Sequence, residues 1–283
     1  MQGTLRVGTP PYLVARPLNL GLEREPGLEV VHEVPARLVE RLRAGELDVA
    51  LVSSIELFRA PGYRYVPGAA VLGRGRVSSV QVFLRKPFDA LRDVVLDPAS
   101  RAAQTLVRVL LTERLGRERV AFREPDAGAD PRVEAERSGA DAWLAIGDAA
   151  LRTKLAPDAP ESFDPAAAWV QETALPFAFA VWIVRPGVEL EPRHVAGFLA
   201  ARDRGRAAIP ELARESSRRW NLPEDACLRY LADECGFAPG PELQRSLELF
   251  RDRAAALELA RAELPAVPVH PSESSERHVP APR

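Results

Sequence analysis

Short apolar runs alternate with amphipathic stretches through the first 185 residues, the pattern of an α/β sheet joined by crossover helices. Leu5-Arg6-Val7-Gly8 reads as a first strand, and Tyr12 to Leu22 as a loop entering a helix. Leu38, Val39 and Leu42 mark an amphipathic helix, Gly45 its C-cap, and Leu47-Asp48-Val49-Ala50-Leu51-Val52 a short buried strand, which completes one βαβ unit. Val80-Gln81-Val82-Phe83-Leu84 predicts a strand near a crossing between lobes. Asp93 to Leu96, a helix from Arg101 to Leu115, and Ala140 to Ile146 predict a second, smaller lobe. Phe177 to Arg185 reads as a strand returning to the first.

From Glu191 the pattern becomes helical alone, with Asn221 as an N-cap before Pro223 and Leu243, Leu247, Phe250, Ala254 and Leu257 at core-facing spacing. After Leu264 the prolines at 265, 268, 271, 280 and 282, mixed with Ser and Glu, offer little to bury, so a disordered tail is expected. The resulting division places residues 1–85 and 180–264 in a first, discontinuous lobe and 86–179 in a second, with 265–283 as the tail.

Composition narrows the partners. A chain of 283 residues with 46% hydrophobic content can fill a sizeable core. Its 38 basic and 40 acidic residues leave a net charge of -2, so no overall field would hold it on nucleic acid or an anionic membrane. The opening Met1-Gln2-Gly3-Thr4-Leu5-Arg6 lacks the pattern of a signal peptide, and the longest apolar candidate, Ala174 to Val184, contains Pro176 and falls short of the roughly 18 residues a membrane helix needs. A cytoplasmic protein is expected. Cys227 and Cys235 fall in one helical pattern eight residues apart, about 12 Å along a helix and beyond disulfide reach. With His32, His194, His270 and His278 scattered, neither a catalytic thiol nor a metal site is indicated.

In such sheets ligands sit beyond the carboxyl ends of parallel strands, where helix N-termini present free N–H groups. Ser53-Ser54-Ile55-Glu56 matches a capping box with Ser53 as N-cap, which leaves the Ser54 hydroxyl open to a ligand. In Asp97-Pro98-Ala99-Ser100-Arg101, Asp97 reads as a cap, with Ser100 and Arg101 projecting from the helix start. A hydroxyl and a guanidinium there would suit a carboxylate. Asp148, after Gly147, reads first as a cap and second as a catalytic carboxylate. Ser78 and Ser79 could place a hydroxyl at the hinge, and Tyr12 could close the first loop or be a buried aromatic. Leu175-Pro176-Phe177 is a rigid entry into the returning strand. Gly73-Arg74-Gly75-Arg76 lacks the third glycine of a dinucleotide loop.

In order, Arg6-Val7-Gly8, Tyr12-Leu13, Gly45 to Glu56, Ser79-Val80, Leu96-Asp97, Ser100-Arg101, Ile146 to Leu151 and Leu175 to Trp182 resemble the chorismate dehydratase family, over residues 5–185 and loosely beyond. The resemblance implies a two-lobed type II periplasmic-binding-protein-like α/β fold with a C-terminal helical segment. It implies an enzyme of the futalosine route to menaquinone that eliminates water from the dicarboxylate chorismate to give 3-[(1-carboxyvinyl)oxy]benzoate, with neither metal nor organic cofactor. It places Tyr12, Ser53, Ser54, Ser100, Arg101, Gly147 and Phe177 against the substrate and Ser79 and Asp148 at the chemistry. Ser100 and Arg101 would hold one carboxylate, and the serines at 53, 54 and 79 the other or the departing hydroxyl. Asp148 or the substrate's own carboxylate would take the proton. Two positions depart from the family: Val14 stands where asparagine is common, and Thr173-Ala174-Leu175 where Thr-Gly is common. The competing readings are the lyase of the same route that releases a naphthoate from cyclic dehypoxanthinyl futalosine, and a non-catalytic binding protein for an aromatic carboxylate.

Overall fold

A computed structural model describes residues 4–270. Among the described residues, eleven strands form two sheets. The first contains β1 (Leu5–Thr9), β2 (Leu28–His32), β3 (Val49–Ser53), β4 (Arg64–Gly73), β10 (Phe177–Val184) and β11 (Cys235–Gly236), in the order β11-β4-β10-β3-β1-β2. The second contains β5 (Val80–Leu84), β6 (Asp93–Val95), β7 (Ala121–Arg123), β8 (Ala142–Ile146) and β9 (Ser162–Phe163), in the order β7-β6-β8-β5-β9.

The two sheets are built alike. In the first, β2, β1 and β3 run parallel and β10 joins β3 antiparallel; in the second, β7, β6 and β8 run parallel and β5 joins β8 antiparallel. Each lobe is thus a three-strand parallel unit with crossover helices, closed by a strand beside a chain crossing. All five residues of β3 are buried, which explains its continuous apolar run. Val80–Leu84, grouped with the first lobe in the sequence reading, hydrogen-bonds in the second sheet, since the chain crosses already at 74–79. The second crossing runs through the helix Pro165–Thr173. Its N-cap, Asp164, accepts from Ala167 N at 2.9 Å, and its other oxygen accepts from Val77 N and Gln81 Nε2, each at 2.8 Å. One carboxylate thereby binds both crossings together.

The C-terminal helices pack on the first sheet. Helix Pro192–Ala207 lies against the short helix Arg16–Asn19 and β4, so closely that a Cβ on Gly205 would collide with the Pro17 carbonyl. Helix Glu242–Ala255 covers β10. Asn221 does not begin a helix; with φ 53° it ends the helix Ile209–Trp220. Cys227 and Cys235, both buried and free, lie in a helix and in β11 respectively rather than in one helix. Residues 265–270 are not the disordered start of a tail: Tyr65 N donates to Val267 O, Val269 N to Tyr65 O, and Ala266 and Val269 are buried. The rest of that expected tail lies outside the described residues.

Candidate active site

A cavity open to solvent lies where the carboxyl ends of β3, β6 and β8 meet the two crossings. The loop after β1 contributes Pro10, Tyr12, Val14 and Ala15, the end of β3 Ser53, and the starts of two second-lobe helices Ser100 and Gly147. Val77, Ser79 and Val80 come from the first crossing, Phe179 and Ala180 from β10, and Cys235 from β11. Among the described residues, those lining the cavity include no Asp, Glu, His, Lys or Arg. Its polar side chains are the hydroxyls of Tyr12, Ser53, Ser79 and Ser100, with the Cys235 thiol.

Of the residues singled out in the sequence, Tyr12, Ser53, Ser79, Ser100 and Gly147 converge on this cavity. Gly147 has φ 66°, and a Cβ there would lie 3.8 Å from the Tyr12 ring, so the loop of one lobe closes over the helix start of the other. Burial, with the nearby charges of Asp97 and Asp148, pushes the Tyr12 phenol up and keeps it a donor. Ser53 forms no capping box. The segment after it, Ser54–Phe58, is a 3-10 helix in which Ser53 makes no side-chain cap bond, so its hydroxyl is left to the cavity. Glu56, expected to complete the box, is buried instead among Arg43, Arg59 and Arg101. The cap of the helix Arg101–Leu115 is Ser100, accepting from Ala103 N at 3.3 Å. Asp97, read as that cap, instead accepts from Ala99 N and, at 3.2 Å, from Ile146 N, joining the ends of β6 and β8.

Four of the singled-out residues lie off the cavity. The Ser54 hydroxyl is fully buried and donates to Ala178 O at 2.6 Å. Arg101 turns to Glu56, its Nε 3.8 Å from the carboxylate, because that buried charge demands partners. Asp148 is the second residue of its helix, not the cap. It accepts from Leu13 N at 3.1 Å across the lobes, in a separate polar cleft with Arg16, Arg219 and Trp220, and burial raises its pKa above the ordinary carboxylate value. Phe177 is a core residue, with its ring 4.7 Å from Phe179 and 4.8 Å from Phe250. Phe179 reaches the cavity in its place.

The helices beginning at Arg101 and Gly147, and the 3-10 turn beginning at Ser54, all start at the cavity wall. Gly147 N is taken by Ser79 O and Ala103 N by Ser100 Oγ; the positive dipole ends of the two α-helices favour negative charge beside an otherwise uncharged lining. Among the described residues, no group of three His, Cys, Asp or Glu side chains is placed to hold a metal.

A family model described as menaquinone biosynthesis matches residues 5–256. A chorismate dehydratase of Thermus thermophilus is 32% identical over 235 residues, 75% of this chain and 82% of that protein. Among solved structures, the periplasmic aliphatic sulphonate binding protein of Escherichia coli superposes with a TM-score of 0.69 at 17% identity, covering 100% of this chain and 98% of its own. A protein of Archaeoglobus fulgidus gives 0.68 at 16% identity over 90% and 98% of the two chains. The alkanesulfonate-binding protein of Xanthomonas axonopodis pv. citri, bound to MOPS, gives 0.65 at 16% over 92% and 94%. At these identities the structures show the fold, the two-lobed periplasmic-binding-protein type.

Proposed function

From the premise that this chain belongs to the chorismate dehydratase family of menaquinone biosynthesis, we propose that its cavity removes water from chorismate to give 3-[(1-carboxyvinyl)oxy]benzoate, a carbon–oxygen lyase reaction. A proton leaves the ring carbon bearing the enolpyruvyl ether, the C–H pair forms the new ring double bond, and hydroxide leaves the neighbouring carbon as water once protonated. Aromatisation supplies the driving force, so the protein has to orient a dianion, keep bulk water out and stabilise developing charge.

The observation that carries this reading is a cavity whose polar equipment is hydroxyls and helix starts. The N–H groups at the start of helix Arg101–Leu115, with Ser100, would receive one carboxylate, and Ser53 and Ser79 the other or the departing hydroxyl. Arg101 and Ser54 drop out of that assignment, being held by Glu56 and Ala178. With Asp148 bonded to Leu13 in a separate cleft, the role of proton acceptor falls in this reading to the substrate's own carboxylate. The apolar walls strengthen its basicity by excluding water.

A biosynthetic role fits the cytoplasm, and no helix of the described residues is long and apolar enough to cross a membrane. Incubating the purified protein with chorismate and a chelator, with products resolved by mass, should show loss of one water well above the spontaneous rate. A folded protein giving no product would overturn the reading. Chorismate bound but unchanged would place the chain with the binding proteins whose fold it shares.

A further inference from the structure

The segment joining the C-terminal helices to β11 is one turn of π-helix, Tyr230–Glu234. Such turns shift a helix by one residue and recur at functional sites because they aim side chains that a regular helix would not. Here the turn grips the first lobe crossing. Glu234 accepts from Ser78 N at 2.7 Å and from the Ser78 hydroxyl at 3.0 Å, and its own carbonyl accepts from Arg74 N at 3.2 Å. Four residues earlier, the Tyr230 hydroxyl donates to Ser79 Oγ at 2.8 Å, wholly within the protein. Ser79 is also fixed through its backbone, where its carbonyl accepts from Gly147 N at 2.8 Å.

A serine hydroxyl has one proton and two lone pairs. With Tyr230 donating to Ser79 Oγ, the serine proton is turned away from the phenol, and the open side of Ser79 is the cavity it lines. The geometry points to Tyr230 as a positioning residue: by occupying a lone pair of Ser79 it sets that hydroxyl as a donor aimed at the substrate. The inference rests on the dehydratase reading above. Burial pushes the Tyr230 phenol well above its ordinary value, so it remains a donor throughout the working range and does not act as an acid itself.

The test is a double-mutant cycle on chorismate turnover with the whole chain: wild type, Ser79→Ala, Tyr230→Phe and the double variant. Removing a positioned donor costs roughly a hundredfold in kcat, and freeing its rotor about tenfold. Tyr230→Phe should therefore lower kcat about tenfold with KM nearly unchanged, an unshifted pH profile and an unfolding midpoint lowered only by the loss of one buried hydrogen bond. The double variant should be no slower than Ser79→Ala, because Tyr230 acts only through Ser79. Multiplying losses, or a Tyr230→Phe variant as fast as wild type, would overturn the inference while leaving the dehydratase reading intact. Wild type that forms no product overturns both. If Tyr230→Phe does not fold, a fluorotyrosine at position 230, which keeps the ring and strengthens its hydroxyl as a donor, should change kcat at constant KM, and a kcat equal to wild type would count against the positioning role.

Discussion

Ala174 closes the helix Pro165–Thr173 in the left-handed region, at φ 57°, where a Cβ crowds the backbone. The departure from Thr-Gly at this point therefore carries strain. Ala174→Gly should stabilise the protein by about 0.5–1 kcal/mol, the relief of strain exceeding the added freedom of the unfolded chain. A rise in the midpoint of urea unfolding at constant slope would show it, and a fall would mean that the loop tolerates alanine without strain. At this scale the sequence was partly legible. Ser53, Ser79, Ser100, Gly147 and Tyr12 follow directly from their place after strands or at the crossing. That Arg101 lies off the cavity, 3.8 Å from Glu56, was not legible, because Glu56 is 45 positions away and buried, and adjacency in sequence does not reveal which buried charge a guanidinium approaches. Phe179, Cys235 and Tyr230 carried no local signal, since only long-range pairing brings the first two to the cavity and the third to Ser79.

Strands with uninterrupted apolar runs, such as β3, β8 and β10, were readable because both faces of their sheets are covered. The ten-residue β4 was not, because Pro67 and Gly68 stand in its middle like a turn. Its ladder with β10 slips between Val181 and Ile183, and Pro67 and Gly68, the latter at φ 80°, occupy the resulting bulge. The outer side of the same strand is partly completed by residues 267–269, which composition had marked as having little to bury. A chain ending at residue 264 should be less stable than one ending at 270 by about 2–4 kcal/mol, chiefly from the lost burial of Val269 and Ala266. The Tyr65 hydroxyl bonds Gln244 at 2.6 Å, and Gln244 in turn bonds Ala266 O. Equal urea midpoints for the two chains would show that this addition to the edge is dispensable.

Across the described residues, the two lobes repeat one topology and are bridged by backbone and side-chain bonds such as Gly147 N to Ser79 O and Leu13 N to Asp148. The repeat was legible as alternating strands and helices, and so was the return of β10 to the first lobe, but the exchange that puts β5 in the second sheet was not, because periodicity does not encode strand neighbours. That exchange has a consequence for synthesis. The second sheet uses only residues 80–163, whereas β10, wedged between β3 and β4, ends at residue 184. In refolding followed by pulsed hydrogen exchange, amides of β5 and β8 should gain protection before those linking β10 to β3 and β4; simultaneous protection would contradict this order. On the ribosome the later lobe would ripen first, while the earlier one waits as two unzipped halves. A pause in translation there would leave the raw margins of β3 and β4 open to capture by a neighbouring nascent chain.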